Sequence, residues 1–203
     1  MTAAAHDGSA IDGAAYLDVM GLVHRAPGWF DSLVTAWSLY GLALYVPLML
    51  LAWWRARRAG TPAVVGALAV PLITLLGFGA DALLKSAVRE DRPCRTLGVR
   101  SLEACPGPGD WSFPSNHAAL AAAAAVALVL VSRGIGAVAL AAAVLMAASR
   151  VWVGVHYPHD ALAGLLMGAL VALPAGLAVR HRQAALARWL GAGPLRPLLS
   201  PAA

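Results

Sequence analysis

Apolar residues in this chain gather into separate long runs, at about residues 33–54, 63–84, 117–131, 135–151 and 161–179. A bilayer core takes roughly 20 apolar residues per crossing helix. Inside lipid every backbone N–H and C=O has to be satisfied within its own segment, which favours helices. Such runs, in a chain of 203 residues that is 60% hydrophobic and 12% charged, exclude an ordinary water-soluble domain. The expected fold is all-α, an integral-membrane bundle of about five transmembrane helices. The runs at 117–131 and 135–151 are short and rely on small residues packing closely. Ahead of them, residues 11–30 mix Tyr16, Leu17, Met20 and Val23 with Asp12, Asp18, His24 and Arg25. Too polar to span, this stretch is expected to form an N-terminal amphipathic helix at the interface.

The length suits one membrane domain at 11–182, preceded by a flexible N-terminus at 1–10 and followed by a cytoplasmic tail at 183–203. The first apolar run is too long and comes too late for a cleaved signal peptide. The formal net charge of +5 is carried almost wholly by arginine, and Lys85 is the single lysine. These arginines sit beside apolar runs, where topology and phosphate binding explain them better than nucleic acid does. Arg55, Arg57 and Arg58, then Arg133, then Arg180, Arg182 and Arg188 follow alternate spans and fall on one side. By the positive-inside rule that side is cytoplasmic, making this a multi-pass cell-membrane protein. Residues 85–115 and 150–160 then share the external face, where an arginine-rich loop points to a bound anion. Cys94 and Cys105 both lie in that loop, in a setting that permits a disulfide between them.

Three segments carry chemistry. In the first, Lys85 and Arg92 are seven positions apart and Pro93 follows; on a helix that is two turns, so both cations face one way. The plain alternative is a headgroup anchor, which suits Arg89 and Arg95. In the second, Phe113-Pro114-Ser115-Asn116-His117 precedes an alanine-rich run. Ser115 is a natural helix N-cap, and the helix start it marks presents free N–H groups to an anion. Alone, Ser115 is only a cap and His117 only a structural histidine. In the third, Arg150 ends one helix, Gly154 marks the turn, and Pro158 opens the next helix. His156 therefore sits just before a helix and Asp160 in its first turn, close enough to fix the imidazole tautomer. The plain alternative is that Asp160 caps its own helix. His159 has no evident partner and is read as structural.

Together the segments place three cations, helix-start donors, two histidines and a carboxylate on one face, the parts of a phosphoryl-transfer site. They resemble the phosphatidic acid phosphatase type 2 superfamily, whose motifs are K-x6-R-P, P-S-G-H and S-R-x5-H-x3-D. Here these read Lys85 to Pro93, Pro114 to His117, and Ser149 to Asp160, departing at Asn116, where the family has glycine. The polar amphipathic start and the run Ser149 to Pro158 are most similar to bacterial undecaprenyl-diphosphate phosphatases.

The resemblance implies that His156 attacks phosphorus, Asp160 orients it, and His117 protonates the leaving oxygen. It further implies that Lys85, Arg92, Ser115, Asn116 and Arg150 hold phosphate oxygens. No cofactor is called for, and no spaced cluster of Asp, Glu, His or Cys resembles a metal site. The expected partners are a lipid phosphate substrate and the membrane lipids. A polyprenyl diphosphate is the first substrate; phosphatidic acid, phosphatidylglycerol phosphate and a phosphotransferase reaction are the alternatives. A non-enzymatic lipid-phosphate binder needs only the cations, so the two histidines and Asp160 argue against it.

Overall fold

A computed structural model of the chain describes residues 6–192, and all that follows concerns those residues. The elements in order are α1 (Ser9–Val23), α2 (Gly28–Tyr40), a 3-10 turn (Gly41–Leu44), α3 (Tyr45–Ala59), α4 (Thr61–Val88), the short α5 (Pro93–Thr96), α6 (Asn116–Val131), α7 (Arg133–Trp152) and α8 (Pro158–Gly191). Four segments are long and apolar enough to cross a membrane: Gly28–Ala59, which joins α2 to α3, then α4, α7 and α8. At 16 residues α6 is shorter, about 24 Å at 1.5 Å per residue. It is also the central helix, with α4, α7 and α8 around it, so it need not match the lipid thickness.

The alanines of α6 are what allow this. Ala118, Ala119, Ala121 and Ala123 to Ala125 are buried, and neighbouring backbones close in around them. On α8, Gly164 and Gly168 face α6 so closely that a Cβ would stand 2.5 Å from the Ser115 carbonyl oxygen and 2.1 Å from that of Ala119. This four-residue spacing of small residues is the usual device of close membrane-helix packing, where dispersion rather than water exclusion holds helices together. Its effect is to bring the starts of α6 and α8 side by side. The Ser115 N–H donates to the Asp160 carbonyl at 3.0 Å. Leu162, Leu166, Leu170 and Leu173 line the opposite, exposed face of α8, as a lipid-facing stripe would.

The turns are short. Gly60 alone, at φ 108°, separates α3 from α4, and Ser132 alone separates α6 from α7. Alternation of direction then places the end of α4, the 89–115 loop, the start of α6 and the α7–α8 turn at one end of the bundle. All three chemistry-bearing segments share that end.

The terminal segments differ from the sequence expectation. Residues 11–30 do not form one helix: α1 ends at Val23, and the first span begins at Gly28 behind Pro27. α1 buries Tyr16, Met20 and Val23 against Tyr157, and the Tyr16 hydroxyl donates to the Gly154 carbonyl at 2.9 Å. It therefore roofs the α7–α8 turn. Residues 6–10, expected to be flexible, are held: the His6 N–H donates to Arg89 O at 3.0 Å and the Asp91 N–H to His6 O at 2.9 Å. At the other end α8 runs on past 182 to Gly191, because Ala187 packs against Ala56 and Val64. Residues 1–5 and 193–203, the outer parts of the expected flexible start and tail, lie outside the described residues.

Candidate active site

Lys85 occupies the last turn of α4, nearly buried, and its ammonium donates to the carbonyls of Trp111 at 2.8 Å and Ser112 at 3.1 Å. Arg92 does not lie on the same helix, contrary to the two-turn argument. α4 stops at Val88, Arg89 takes a left-handed C-terminal conformation at φ 56°, and Arg92 caps α5. The two cations reach one site because the chain reverses between them. Arg92 is the centre of a fork: Nε donates to Asp110 O at 3.0 Å, Nη2 to Asp110 Oδ1 at 2.8 Å, and Nη1 to Val155 O at 2.9 Å.

Nη1 of Arg92 also lies 3.1 Å from His156 Nε2. A guanidinium only donates, so Nε2 carries the lone pair and the proton resides on Nδ1. Nδ1 in turn lies 3.3 Å from Asp160 Oδ2. The imidazole is thus held in the tautomer whose free electron pair points at the cations. Burial pushes the His156 pKa well below 6.5, and the charges of Arg92, Lys85 and Arg150 push it further. It is neutral at pH 7 and available as a nucleophile.

Asp160 is fully buried in the first turn of α8. Its Oδ2 accepts from the Tyr157 N–H at 2.8 Å and from the Ser112 hydroxyl. The two contacts that the sequence leaves as alternatives for Asp160, with its helix start and with His156, converge on one oxygen atom. Ser112, three residues before Ser115, had no motif to announce it.

Arg150, in the last turn of α7, is clasped by Glu103 and Ser38, which no sequence motif announced. Its Nη1 lies 3.0 Å from both Oε atoms of Glu103 and donates to Ser38 Oγ, while its Nε is buried with no partner among the described residues. Ser38 Oγ in turn donates to Glu103 Oε1 at 2.5 Å. Ser115 does precede the first residue of α6, but its hydroxyl makes no capping bond and is buried unpartnered, as is Asn116 Oδ1. His117 is partly buried in the first turn of α6.

His159, read as structural without a partner, has several. Its Nδ1 lies 2.7 Å from Asp12 Oδ1 and its Nε2 3.0 Å from Glu90 Oε1, and its backbone N–H donates to Asp12 Oδ2 at 2.7 Å. Asp12 leaves helical dihedrals inside α1, at φ −146°, as it makes these contacts. Glu90, His159 and Asp160 bring ligand-type atoms within 4.8 Å of one another, a grouping that no linear spacing announced. Both ring nitrogens face carboxylates, so an imidazolium donates to Asp12 and Glu90, while Asp160 Oδ1 is buried without a hydrogen bond among the described residues. The cysteines meet as expected: Cys94 and Cys105 form a disulfide across 11 positions and tie down the loop that carries Glu103 and Asp110.

A family model described as the PAP2 superfamily matches residues 64–184, from early α4 through the core of α8. The chain belongs to the PAP2 superfamily. The undecaprenyl-diphosphatase BcrC of Bacillus subtilis is 30% identical over 149 residues, 70% of each chain. An undecaprenyl-diphosphatase of Sulfolobus acidocaldarius is 40% identical over 67 residues, and the chain spans only 32% of that relative's length. A bacitracin transport permease protein BcrC of Bacillus licheniformis is 42% identical over 64 residues, again 32% of its length. Among solved structures, the transmembrane PAP2-type phosphatidylglycerolphosphate phosphatase of B. subtilis superposes with a TM-score of 0.63 over 86% of each chain at 21% identity. That likeness bears on the fold. The protein is a multi-pass membrane member of that superfamily.

Proposed function

We propose that this protein hydrolyses a polyprenyl diphosphate of the undecaprenyl class to the monophosphate through a phosphohistidine. The observation that carries the reading is the state of His156: Nε2 bears the lone pair beside Arg92, and Nδ1–H faces the buried Asp160 carboxylate. Nε2 attacks the terminal phosphorus, the N–P bond forms, and the bridging P–O bond breaks. His117 gives its proton to the leaving lipid oxygen, then takes one from the water that cleaves the N–P bond and releases phosphate. Asp160 holds the imidazolium charge of the intermediate. Lys85, Arg92 and Arg150 offset the phosphate charge, while the Ser115 hydroxyl and Arg150 Nε, buried donors unpartnered among the described residues, suit its equatorial oxygens. Asn116 adds its side-chain amide where relatives have glycine.

Three cations make the reaction metal-independent in this proposal, and the site faces the external side, opposite the arginine-rich face. Support for the lipid comes from the B. subtilis relative, named an undecaprenyl-diphosphatase, which the chain matches over 70% of its length. The B. licheniformis relative is named a bacitracin transport permease protein, and loss of the present protein is expected to raise bacitracin sensitivity.

The test is phosphate release from undecaprenyl diphosphate, phosphatidic acid and phosphatidylglycerol phosphate in one detergent, with and without chelator, by wild type and His156→Ala. The diphosphate is expected to be hydrolysed fastest, chelator to change nothing, and folded His156→Ala to release almost no phosphate. Turnover by that variant would remove the assigned nucleophile, and preference for a glycerolipid would move the substrate assignment.

A further inference from the structure

All ten acidic residues of the chain lie at the phosphate-site end: ahead of or in α1, at the start of α2, in the last two turns of α4, in the loop after it, and at the start of α8. The opposite end holds arginines from α3, α7 and α8, and no carboxylate among the described residues. Arg57 and Arg58 there lie over the rings of Trp53 and Trp54. Arg55 and Arg180 instead line a cavity of about 340 Å3 between α3, α4, α6 and α8, together with Gln183 and Ser132.

The cavity has a polarity gradient. Its polar groups, Arg55, Ser132, Arg180 and Gln183, lie toward one end of the bundle, whereas Ile73, Ala127 and Gly176 line it further in. From Gly66 to Ile73 along α4 is seven residues, about 10 Å of depth at 1.5 Å per residue. Two guanidiniums without an acidic partner among the described residues favour an added anion, and an apolar floor two helical turns deep favours a hydrocarbon chain beneath it.

We propose that this cleft binds an anionic glycerophospholipid, with the phosphodiester between Arg55 and Arg180 and an acyl chain lying inward past Gly66. The site is separate from the catalytic one and does not depend on which lipid phosphate is hydrolysed.

The test is retention of lipid by the full chain in detergent, measured by native mass spectrometry with dioleoyl phosphatidylglycerol, dioleoyl phosphatidylcholine or inorganic phosphate. One phosphatidylglycerol is expected to be retained in preference to phosphatidylcholine, and inorganic phosphate is not expected to displace it. Arg55→Gln/Arg180→Gln is expected to weaken retention about thirtyfold, the loss for two arginine–anion contacts at a membrane surface. Gly66→Leu tests the chain-binding half without touching the arginines: a Cβ there meets nothing nearer than Gln183 Oε1 at 3.7 Å, so the larger side chain fills the cleft rather than displacing a helix. It too is expected to abolish retention, and both variants are expected to keep hydrolysis of a short-chain lipid phosphate within about twofold, since neither touches the phosphate site. Arg92→Gln is expected to leave retention unchanged. Equal retention of both lipids, displacement by phosphate, retention surviving Gly66→Leu, or loss in Arg92→Gln would each overturn the proposal. The last would place the bound lipid in the catalytic site.

Discussion

Glu103→Gln separates the structural and electrostatic consequences of the clasp around Arg150. Glu103 and Arg150 are both largely buried, with side-chain exposures of 13% and 6%. Glutamine keeps an acceptor for Nη1 but removes the charge, leaving a nearly buried guanidinium uncompensated. Breaking such a pair costs about 3–5 kcal/mol, and the retained hydrogen bond places this variant near the lower figure. The effect on anion binding has the opposite sign. A phosphate held at the free Nε edge lies roughly 6–7 Å from the Glu103 carboxylate, where an effective dielectric of about 20 gives a repulsion near 2.5 kcal/mol per unit charge. Partial exposure of Glu103 lowers this, and a tenfold gain in phosphate affinity corresponds to about 1.4 kcal/mol. The assay pairs thermal unfolding with and without saturating phosphate against product inhibition of turnover. The variant is expected to unfold at lower temperature, to be rescued by phosphate more than wild type, and to be inhibited by phosphate about tenfold more strongly. A fall in stability with unchanged or weaker phosphate inhibition would show that Arg150 does not meet the anion.

Ser112→Ala removes one charge-assisted donor from Asp160, about 1.5–3 kcal/mol, and is expected to lower kcat about tenfold or more with little change in KM; an altered KM alone would mean that Ser112 touches substrate. His156 has its folded pKa below the unfolded value of 6.5, so the unfolded chain binds more protons below that pH. The folding stability tied to this group is therefore kept above about pH 6.5 and lost as the pH falls, and in His156→Gln the slope of unfolding midpoint between pH 7 and pH 5 is expected to flatten. Gly168→Ala places a Cβ 2.1 Å from the Ala119 carbonyl and is expected to separate α6 from α8, lowering stability by about 1–3 kcal/mol and turnover along with it; wild-type kinetics in this variant would show that the two helix starts need not touch.

Much of the site was legible because its residues fall into three short segments. His156 before Pro158, with Asp160 in the first helical turn, follows from local backbone rules, and the structure keeps that geometry. Helical periodicity, the reason for expecting Lys85 and Arg92 on one face, has no bearing on Arg92, since α4 ends at Val88. Ser115 was rightly placed at a helix start, yet its hydroxyl caps nothing. His159 went unpartnered because Asp12 and Glu90 stand 147 and 69 positions away.

What the sequence determined by itself was whatever depends on near neighbours along the chain or on bulk solubility. Apolar run length sets the membrane-spanning helices, their alternation sorts the loops between two ends, and the order of the motifs brings their cations and histidines to one of them. Tertiary structure alone decided which carboxylates hold those cations, that α1 roofs the α7–α8 turn, and that α6 lies at the centre of the bundle. Pairing a buried charge is a contest among all groups that packing brings within a few ångströms, whatever their separation in sequence. The small residues of α6 and α8 set that packing, because without side-chain bulk the two backbones approach until Ser115 and Asp160 share a hydrogen bond.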